Sequence, residues 1–430
     1  MKSKKILISL FLPLMLTGCM LNTGIDILLS PPKLDARQEH IYNALKSYTG
    51  DNISLKYPKT GKNLSAFIIE DIDGDSDDEA IVFYKKNVAK TADNPLRINI
   101  LDSSDSNWHS VYDHPVDGNE LEQVEVTKLG DSEKTNIIVG YSLINRSEKK
   151  ISIYDYSDGK LRTTLGGVPY SFFDTTDLNN DGLKELFTAT VSTGSEQAAA
   201  ELYYLYKNVK YKCSEETFDG NYIKYHKISC SLSGEKKLFL DCETPGGEIA
   251  TEVLTADEQG NLLKVFSPDA KKHETIRPPA YLSQDIDNDG EIEIPVVEFC
   301  DGYDENSENA VYFTSWYGVE NKKLKFKYKS YCSITDEYVF MIPAEWFGKV
   351  TACNNIAENE LSLLSGSDPE TAEEIFTVKV VSGNEKMIIS EKDDYILLRT
   401  RGDKSFFLKI NKNNPLALSF EELMMKFKFE

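Results

Sequence analysis

The chain has 430 residues and a formal net charge of −22, with 48 Lys and Arg against 70 Asp and Glu. This balance argues against nucleic acid as a partner, because phosphate binding needs a basic surface. Hydrophobic residues make up 40% of the chain and aromatic residues 11%, which is typical of a folded protein with two or three domains or one large repeat domain.

The N-terminus has the pattern of a targeting segment. Three lysines in the first five residues precede an apolar run that ends at Leu16, and Thr17-Gly18-Cys19 follows. The run is short for a transmembrane helix, so we expect a signal peptide at residues 1–18. Small residues before a cysteine resemble the lipobox of bacterial lipoproteins, which implies lipidation of Cys19 and a membrane-anchored protein facing the extracytoplasmic side. A plain secretory signal and an uncleaved anchor are the alternatives.

Residues 19–52 predict a tether and a short helix. The tether ends at Ser30-Pro31-Pro32. Asp35 can cap the helix with Gln38 three residues on, and Gly50 would end it. Its apolar face would contain Ile41, Ala44, Leu45 and Tyr48.

The pattern changes to short strands at about residue 53. Runs of Val, Ile, Phe and Tyr alternate with turn residues, and no long helical period occurs up to residue 332. The predicted strands include 65–69, 97–101, 136–140, 150–154 and 202–206. The fold class predicted here is therefore mainly β.

One acidic stretch occurs three times, at residues 71–79, 177–185 and 285–293, with starts 106 and 108 residues apart. Each copy has an oxygen-bearing side chain at positions 1, 3, 5 and 9 and leads into an apolar strand. The candidate metal ligands are Asp71, Asp73, Asp75, Asp77, Glu79, Asp177, Asn179, Asp181, Leu183, Glu185, Asp285, Asp287, Asp289, Glu291 and Glu293.

The spacing of these oxygens fits a hard cation. Ca²⁺ takes six to eight oxygen ligands, and alternate residues of a tight loop can surround one point. The backbone carbonyl at position 7 would add a ligand, and the glutamate at position 9 would close the site. Because one loop supplies every ligand, we expect structural Ca²⁺, up to three ions. An EF-hand needs its closing acid at position 12, which is Val82, Thr188 or Val296 here. Ser76 replaces the glycine of position 6 and predicts a strained or differently shaped turn.

Two further segments, near residues 128 and 231, keep the turn and the following strand but lose the carboxylates. The repeat is therefore about 50–57 residues, enough for four short strands and the size of a propeller blade. Five units are expected, at 60–118, 119–170, 171–221, 222–279 and 280–332. A β-sandwich with coincidental acidic turns is the alternative.

The nine-residue loop between strands resembles the FG-GAP/VCBS repeat of integrin-type β-propellers, in which Ca²⁺ binds to a loop joining two strands of a blade. The resemblance covers roughly residues 60–332. Together with the lipobox, the early helix and the segment 346–350, it extends to uncharacterised VCBS-repeat lipoproteins of Gram-positive bacteria. It implies a β-propeller of about five four-stranded blades at 53–332, with Ca-binding loops, and names no ligand.

The repeat is lost after residue 332. Strands are expected at about 375–382, 386–390, 394–400 and 405–411. Ser419 and Glu422 form a capping box for a last helix containing Leu423, Met424 and Phe427. Residues 333–430 are thus predicted to form a small α+β domain, or alternatively one or two extra blades.

The cysteines that follow Cys19 contain no Cys-x-x-Cys pair, so zinc and redox motifs are unsupported. Cys230 and Cys242 flank a predicted hairpin turn. A cross-strand disulfide and buried free thiols are both open.

The function predicted from these patterns is non-catalytic. The chain has no HExxH, Walker A, GxSxG or GxGxxG motif. We expect a calcium-stabilised lipoprotein of the cell envelope that binds an extracellular protein or glycan. The alternatives are a propeller-based polysaccharide lyase or glycoside hydrolase, with an acid pair such as Asp174 and Asp177, and a structural accessory subunit of an envelope complex.

Overall fold

The computed structural model is mainly β, in antiparallel sheets of four and five strands. It describes residues 34–87, 95–104, 107–143, 148–206, 210–233, 235–268, 274–383 and 394–429. Cys19, the predicted signal peptide, the tether and the predicted strand at 386–390 lie outside these ranges. No described helix has the length and apolar character needed to cross a membrane.

The chain divides into two compact units, Met1–Gln123 with Tyr156–Leu161 and Val124–Asp155 with Arg162–Glu430. Sheet 1, in the first unit, contains β1 (Ile53–Leu55), β2 (Phe67–Glu70), β3 (Glu79–Lys86), β4 (Arg97–Ser104) and β5 (Asn107–Pro115). Its order is β1-β3-β4-β5, and β2 also pairs with β3.

Helix α1 (Ala36–Thr49) covers sheet 1. Both hydrogen bonds of the capping box between Asp35 and Gln38 are present, and Gly50 ends the helix. Ile41 and Leu45 are fully buried in the core that the helix shares with sheet 1. Tyr48, which the sequence placed on the same face, is 60% exposed, because it lies in the last turn beyond the apolar contact.

Sheets 2, 3 and 4 each have four strands in chain order. Sheet 2 contains β6 (Glu120–Thr127), β7 (Asn136–Ser142), β8 (Lys149–Ser157) and β9 (Lys160–Tyr170). Sheet 3 contains β10 (Phe172–Thr176), β11 (Glu185–Thr190), β12 (Ala199–Tyr206) and β13 (Lys210–Thr217). Sheet 4 contains β14 (Lys224–Cys230), β15 (Leu238–Glu243), β16 (Ile249–Ala256) and β17 (Leu262–Phe266).

Sheets 5 and 6 have five strands each. Sheet 5 contains β18 (Ile294–Phe299), β19 (Tyr312–Glu320), β20 (Lys323–Ser333), β21 (Tyr338–Met341) and β27 (Phe427–Phe429). Sheet 6 contains β22 (Val350–Asn355), β23 (Glu360–Ser365), β24 (Glu373–Ser382), β26 (Lys404–Ile410) and β25 (Ile396–Arg401), in that spatial order. Helix α2 (Phe420–Met424) and two 3₁₀ turns, Ala344–Trp346 and Ile356–Glu358, complete the described elements.

Successive sheets of the second unit share apolar cores. The core between sheets 2 and 3 includes Ile138 and Phe173, and the core between sheets 4 and 5 includes Phe239 and Ile294. Strands buried on both faces read as near-continuous apolar runs rather than alternating ones. Strand β7, with six buried residues in succession, is an example.

Sheets 1 to 5 follow one another in the same parts of the chain as the five predicted units, although sheet 5 also includes residues 338–341 and 427–429. The number of blades and the C-terminal α+β domain are not confirmed. Strand β20 crosses residue 332, and the last strand, β27, pairs with β21 of the same sheet. Residues 350–410 form another antiparallel sheet, which corresponds to the alternative of an extra blade. Helix α2 ends at Met424, so Phe427 belongs to a strand and not to the predicted helix.

Of the two alternatives left open for Cys230 and Cys242, the structure shows free thiols and not a cross-strand disulfide. Cys230 lies opposite Leu238 on the β14–β15 pair, whereas Cys242 lies opposite Tyr225. The two cysteines therefore sit at different levels of the hairpin, since Cys242 lies four residues beyond Leu238 on β15. All six described cysteines are free thiols.

Candidate metal sites in the acidic loops

The three acidic loops occupy equivalent places in sheets 1, 3 and 5. Residues 71–78 join β2 to β3, and residues 177–184 join β10 to β11. In the third loop, a bridge between Gln284 and Glu293 closes the two ends before β18 begins. Glu79 and Glu185 are thus the first residues of β3 and β11, and Glu293 directly precedes β18.

The same four hydrogen bonds fold each loop. The position 1 carboxylate accepts from the N–H of position 6 at 2.9–3.1 Å. The position 3 side chain accepts from position 5 at 3.0–3.3 Å, and the position 5 carboxylate accepts from position 7 at 2.7–2.8 Å. The position 9 glutamate accepts from the N–H of position 2 at 2.9–3.1 Å. Each loop therefore bends its own acids toward a common centre.

Three groups of carboxylates result, each with one oxygen per residue and all of these oxygens within 4.8 Å of one another. They are Asp71, Asp73 and Glu79; Asp177, Asp181 and Glu185; and Asp285, Asp287 and Asp289. Calcium–oxygen bonds of about 2.4 Å place opposite ligands about 4.8 Å apart, so each group fits around one cation. The donors are oxygens alone, which suits a hard cation such as Ca²⁺, Mg²⁺ or Mn²⁺.

The other predicted ligands lie in the same loops but outside these groups. Asp75 accepts from the N–H of Asp77. Asn179 could add an amide oxygen, while Leu183 and Glu291 could add backbone carbonyls. Glu293 accepts from Ile286 through Oε2, while its Oε1 lies 2.7 Å from Nζ of Lys327 on β20.

The closing glutamates are buried carboxylates. Glu79, Glu185 and Glu293 have exposures of 1%, 2% and 0%. Loss of hydration, followed by the charges of the neighbouring loop aspartates, raises the pKa of Glu79 and of Glu185 to about 7. In the described parts of the chain, no Lys, Arg or His nitrogen lies within 4.0 Å of Glu79 or Glu185. A bound cation would supply the missing positive charge.

The turn at position 6 has one shape in all three loops. Ser76 has a φ of 80°, against 88° for Gly182 and 89° for Gly290. The first loop is therefore strained rather than differently shaped, because a residue with a Cβ adopts the left-handed region at a cost.

A fourth loop, residues 128–135, closes in the same way without charge. The N–H of Leu129 donates to Oδ1 of Asn136 at 2.9 Å, and Asn136 is fully buried at position 9. The amide keeps the hydrogen bond of the glutamates but needs no counter-charge. The sequence does contain a polar residue at position 9 of this loop, an asparagine eight residues after Lys128, but without the acids of positions 1, 3 and 5 it was not recognised as a closing residue.

Neighbouring loops of the second unit touch one another. The N–H of Gly130 donates to the carbonyl of Lys184 at 2.8 Å, and the N–H of Leu232 donates to the carbonyl of Gly290 at 2.7 Å. Lys237 lies 3.7 Å from the carboxylate of Glu291. In the second unit, loops with and without acidic groups thus alternate, and Gly130 and Leu232 each donate to the acidic loop that follows in the chain.

Asp174 and Asp177, the acid pair of the hydrolase alternative, have different surroundings in the structure. Asp177 belongs to the second acidic group, whereas Asp174 lies on β10 and accepts from the N–H of Thr175.

A different acid pair lines a groove of about 750 Å³ formed by residues of sheets 2 and 3. There Glu201 and Glu215 lie directly opposite each other on β12 and β13. No motif marks them, because strand pairing alone brings them together.

Cys213 is beside Glu201 but is not a thiolate nucleophile. Its Sγ lies 3.7 Å from the Glu201 carboxylate. Burial and this carboxylate raise the pKa of the Cys213 thiol to about 11. The thiol therefore stays protonated at neutral pH.

Comparison with known proteins assigns no family. No family model and no curated protein matches the chain. Among solved structures, it is similar to Sqt1 of Chaetomium thermophilum (10% identity, 77% of this chain and 79% of that one, TM-score 0.32). It is also similar to the GH32 beta-fructofuranosidase of Bombyx mori (11%, 82% and 78%, 0.28) and to an alpha-L-arabinanase of Penicillium chrysogenum (9%, 83% and 96%, 0.25). At these values the likenesses assign no function to this chain.

We predict opposite effects of Glu185→Gln with and without metal. Metal-free wild type loses stability as the pH rises from about 4.5 toward 7, because the folded state favours the protonated carboxyl. Glutamine keeps the acceptor for Leu178 and carries no charge, so in EDTA at pH 8 the variant should gain about 1–3 kcal/mol of unfolding free energy. With Ca²⁺ present it should lose the metal-dependent gain.

Urea denaturation at pH 5 and pH 8, with EDTA or Ca²⁺, measures both effects. Glu196→Gln, at an exposed position outside the loops, is the matched control and should leave the denaturation midpoint unchanged under all four conditions. A Glu185→Gln variant that is less stable than wild type in EDTA at pH 8 would contradict the prediction.

Proposed function

We propose that the protein is a calcium-stabilised binding module of the cell envelope. The observation that carries this proposal is the pair of buried glutamates, Glu79 and Glu185, that close oxygen-only groups without any cationic side chain within 4.0 Å among the described residues. Bound Ca²⁺ supplies positive charge at these points. The loop residues hold it, and their hydrogen bonds to the loop backbone keep them oriented.

The role of the ions in this proposal is structural. Every ligand of a group comes from one loop, and its aspartates already accept hydrogen bonds from that loop. The groove between sheets 2 and 3 is lined by none of the loop acids. The supported role is therefore to hold strand ends together, in sheets that we propose to be blades of a β-propeller.

Calcium should raise the melting temperature. We expect an increase of several degrees on going from EDTA to millimolar Ca²⁺ at pH 7.5, because only the folded loops present a complete ligand set. Mg²⁺ at the same concentration should give a smaller increase, since it demands stricter octahedral geometry. Calorimetry of the chelated and reloaded protein measures this. Equal melting temperatures in EDTA and Ca²⁺ would refute the calcium role.

We further propose that Cys19 carries a lipid that anchors the protein on the extracytoplasmic face of the membrane. The support is the lipobox pattern ahead of a β-rich chain. Wild type should partition into the detergent phase and incorporate an alkyne-labelled fatty acid. Cys19→Ser should do neither, while Cys213→Ser should behave as wild type. Label retained in Cys19→Ser would show that another residue or mechanism anchors the chain.

A glycoside hydrolase or lyase is the second candidate, favoured by the groove. Like charges directly opposite on paired strands are destabilising, so Glu201 and Glu215 face each other at a cost. Two carboxylates at cross-strand distance suit a retaining mechanism better than an inverting one, which needs a wider separation. Thr188 and Tyr203 donate to Glu201 at 3.4 and 3.0 Å, so this carboxylate is oriented whereas Glu215 is exposed.

One assay separates the two candidates. If the protein is a binding module, a column of immobilised protein should retain cell-wall or envelope glycans, and the glycans should not be cleaved to give new reducing ends. A hydrolase should produce such ends, and Glu201→Gln should lower that rate by about 100-fold or more. Glu216→Gln, at the next position on β13, is the control. Binding without turnover that survives Glu201→Gln supports the first candidate, while turnover lost in Glu201→Gln alone supports the second.

A further inference from the structure

The third closing glutamate differs from the other two in having a cation beside it. Nζ of Lys327 lies 2.7 Å from Oε1 of Glu293, whose side chain is fully buried. Lys236 approaches the second loop, but it stands 3.6 Å from Asp177 at position 1 and not at the closing glutamate. Only the third loop has an ammonium at position 9 in the described part of the chain.

Strand β20 supplies two contacts to the same loop besides this one. Nζ of Lys327 lies 3.5 Å from Oδ2 of Asp289, and the hydroxyl of Tyr328 donates to Oδ2 of Asp287 at 2.6 Å. Lys428 of β27 donates to the carbonyl of Ile286. Positions 3, 5 and 9 of the third loop are therefore all held by side chains of sheet 5, and its convergent group lacks the closing glutamate.

A β-bulge places Lys327. Tyr317 pairs with Phe326 and Trp316 pairs with Tyr328, so Lys327 is the extra residue between them. An extra residue in an antiparallel pair redirects its side chain relative to the regular alternation. Here it directs the ammonium to the start of β18.

Sheet 1 has a bulge at the corresponding place, with a different residue. Leu101 pairs with Ser110 and Ile100 pairs with Tyr112, so Val111 is the extra residue. On β5, His109 lies level with Glu79, and Val111 follows two positions later. On β20, Lys325 lies level with Glu293, and Lys327 follows two positions later. In sheet 3, β12 and β13 pair without a bulge.

We propose that the Lys327 ammonium takes the place of a metal ion in the third loop, so that the chain binds Ca²⁺ at loops 71–79 and 177–185 and not at loop 285–293. This inference rests on the proposed calcium role of the first two loops. A divalent ion in the third loop would have to displace Lys327 from a buried carboxylate and leave two positive charges side by side. The lysine therefore keeps this loop closed at every calcium concentration.

The test is the number of ions bound, measured by calorimetric titration and by native mass spectrometry of the full chain with Ca²⁺. Wild type should bind two ions. Lys327→Met should bind three, because the freed glutamate again needs a cation. Lys325→Met is the matched control, since Lys325 is an exposed residue of β20 that pairs with Glu320 and should leave the count at two.

The reverse substitution, Val111→Lys, covers the case in which Lys327→Met fails to fold. It places an ammonium near Glu79 and should lower the count by one. Three ions in wild type, an unchanged count in a folded Lys327→Met, or an unchanged count in Val111→Lys would overturn the inference while leaving the calcium role intact. No binding to any variant would overturn the calcium role and this inference with it.

Discussion

The hydrogen bond from the backbone N–H of position 2 to the side chain of position 9 is the interaction on which the loops and their sheets depend. It ties the residue after one strand to the first residue of the next, as between Ile72 and Glu79 or between Leu178 and Glu185. In sheet 1 the tie lies beside the pair Glu70 and Glu79, so it fixes the register of the β2–β3 hairpin. A slip by one residue would turn every apolar side chain of β3 to the opposite face.

Burying a carboxylate acceptor at position 9 costs free energy unless its charge is neutralised or avoided, and the loops differ in how this is done. Asn136 makes the bond with a neutral amide. In the shorter loop that follows β14 the bond runs the other way, because the hydroxyl of Ser231 at the start of the loop accepts from the N–H of Lys237. Glu293 has the ammonium of Lys327 within hydrogen-bond distance. Glu79 and Glu185 remain as buried carboxylates with raised pKa values, which is the state that a bound cation relieves.

Local patterns were readable from the sequence, and long-range pairing was not. The acidic loops and the capping box at Asp35 each lie within a few residues, so the sequence predicts them directly. The regular spacing of the loops can also be read from their positions in the chain. Lys327 is 34 residues from Glu293, and a bulge in β20 decides that the two meet. Strand pairing also decides three other features: the meeting of the groove acids, the level of Cys242 in its hairpin, and the return of β27 to sheet 5. The predicted boundary at residue 333 could not take account of the pairing of β27 with β21, because the sequence alone does not show a strand rejoining an earlier sheet.

Contacts between successive loops would give a bound ion an influence beyond its own hairpin. The carbonyl of Lys184, within the second acidic loop, accepts from Gly130, and the carbonyl of Gly290 accepts from Leu232. A loop ordered by a bound cation would present a fixed acceptor to its neighbour, whereas repulsion between unneutralised acids would displace that acceptor. Since ligands in the unfolded chain are scattered, the free energy of binding an ion becomes free energy of folding. We therefore interpret the acidic loops as ties between the strand ends of sheets whose faces are already apolar, and under the proposed function the groove surfaces carry recognition.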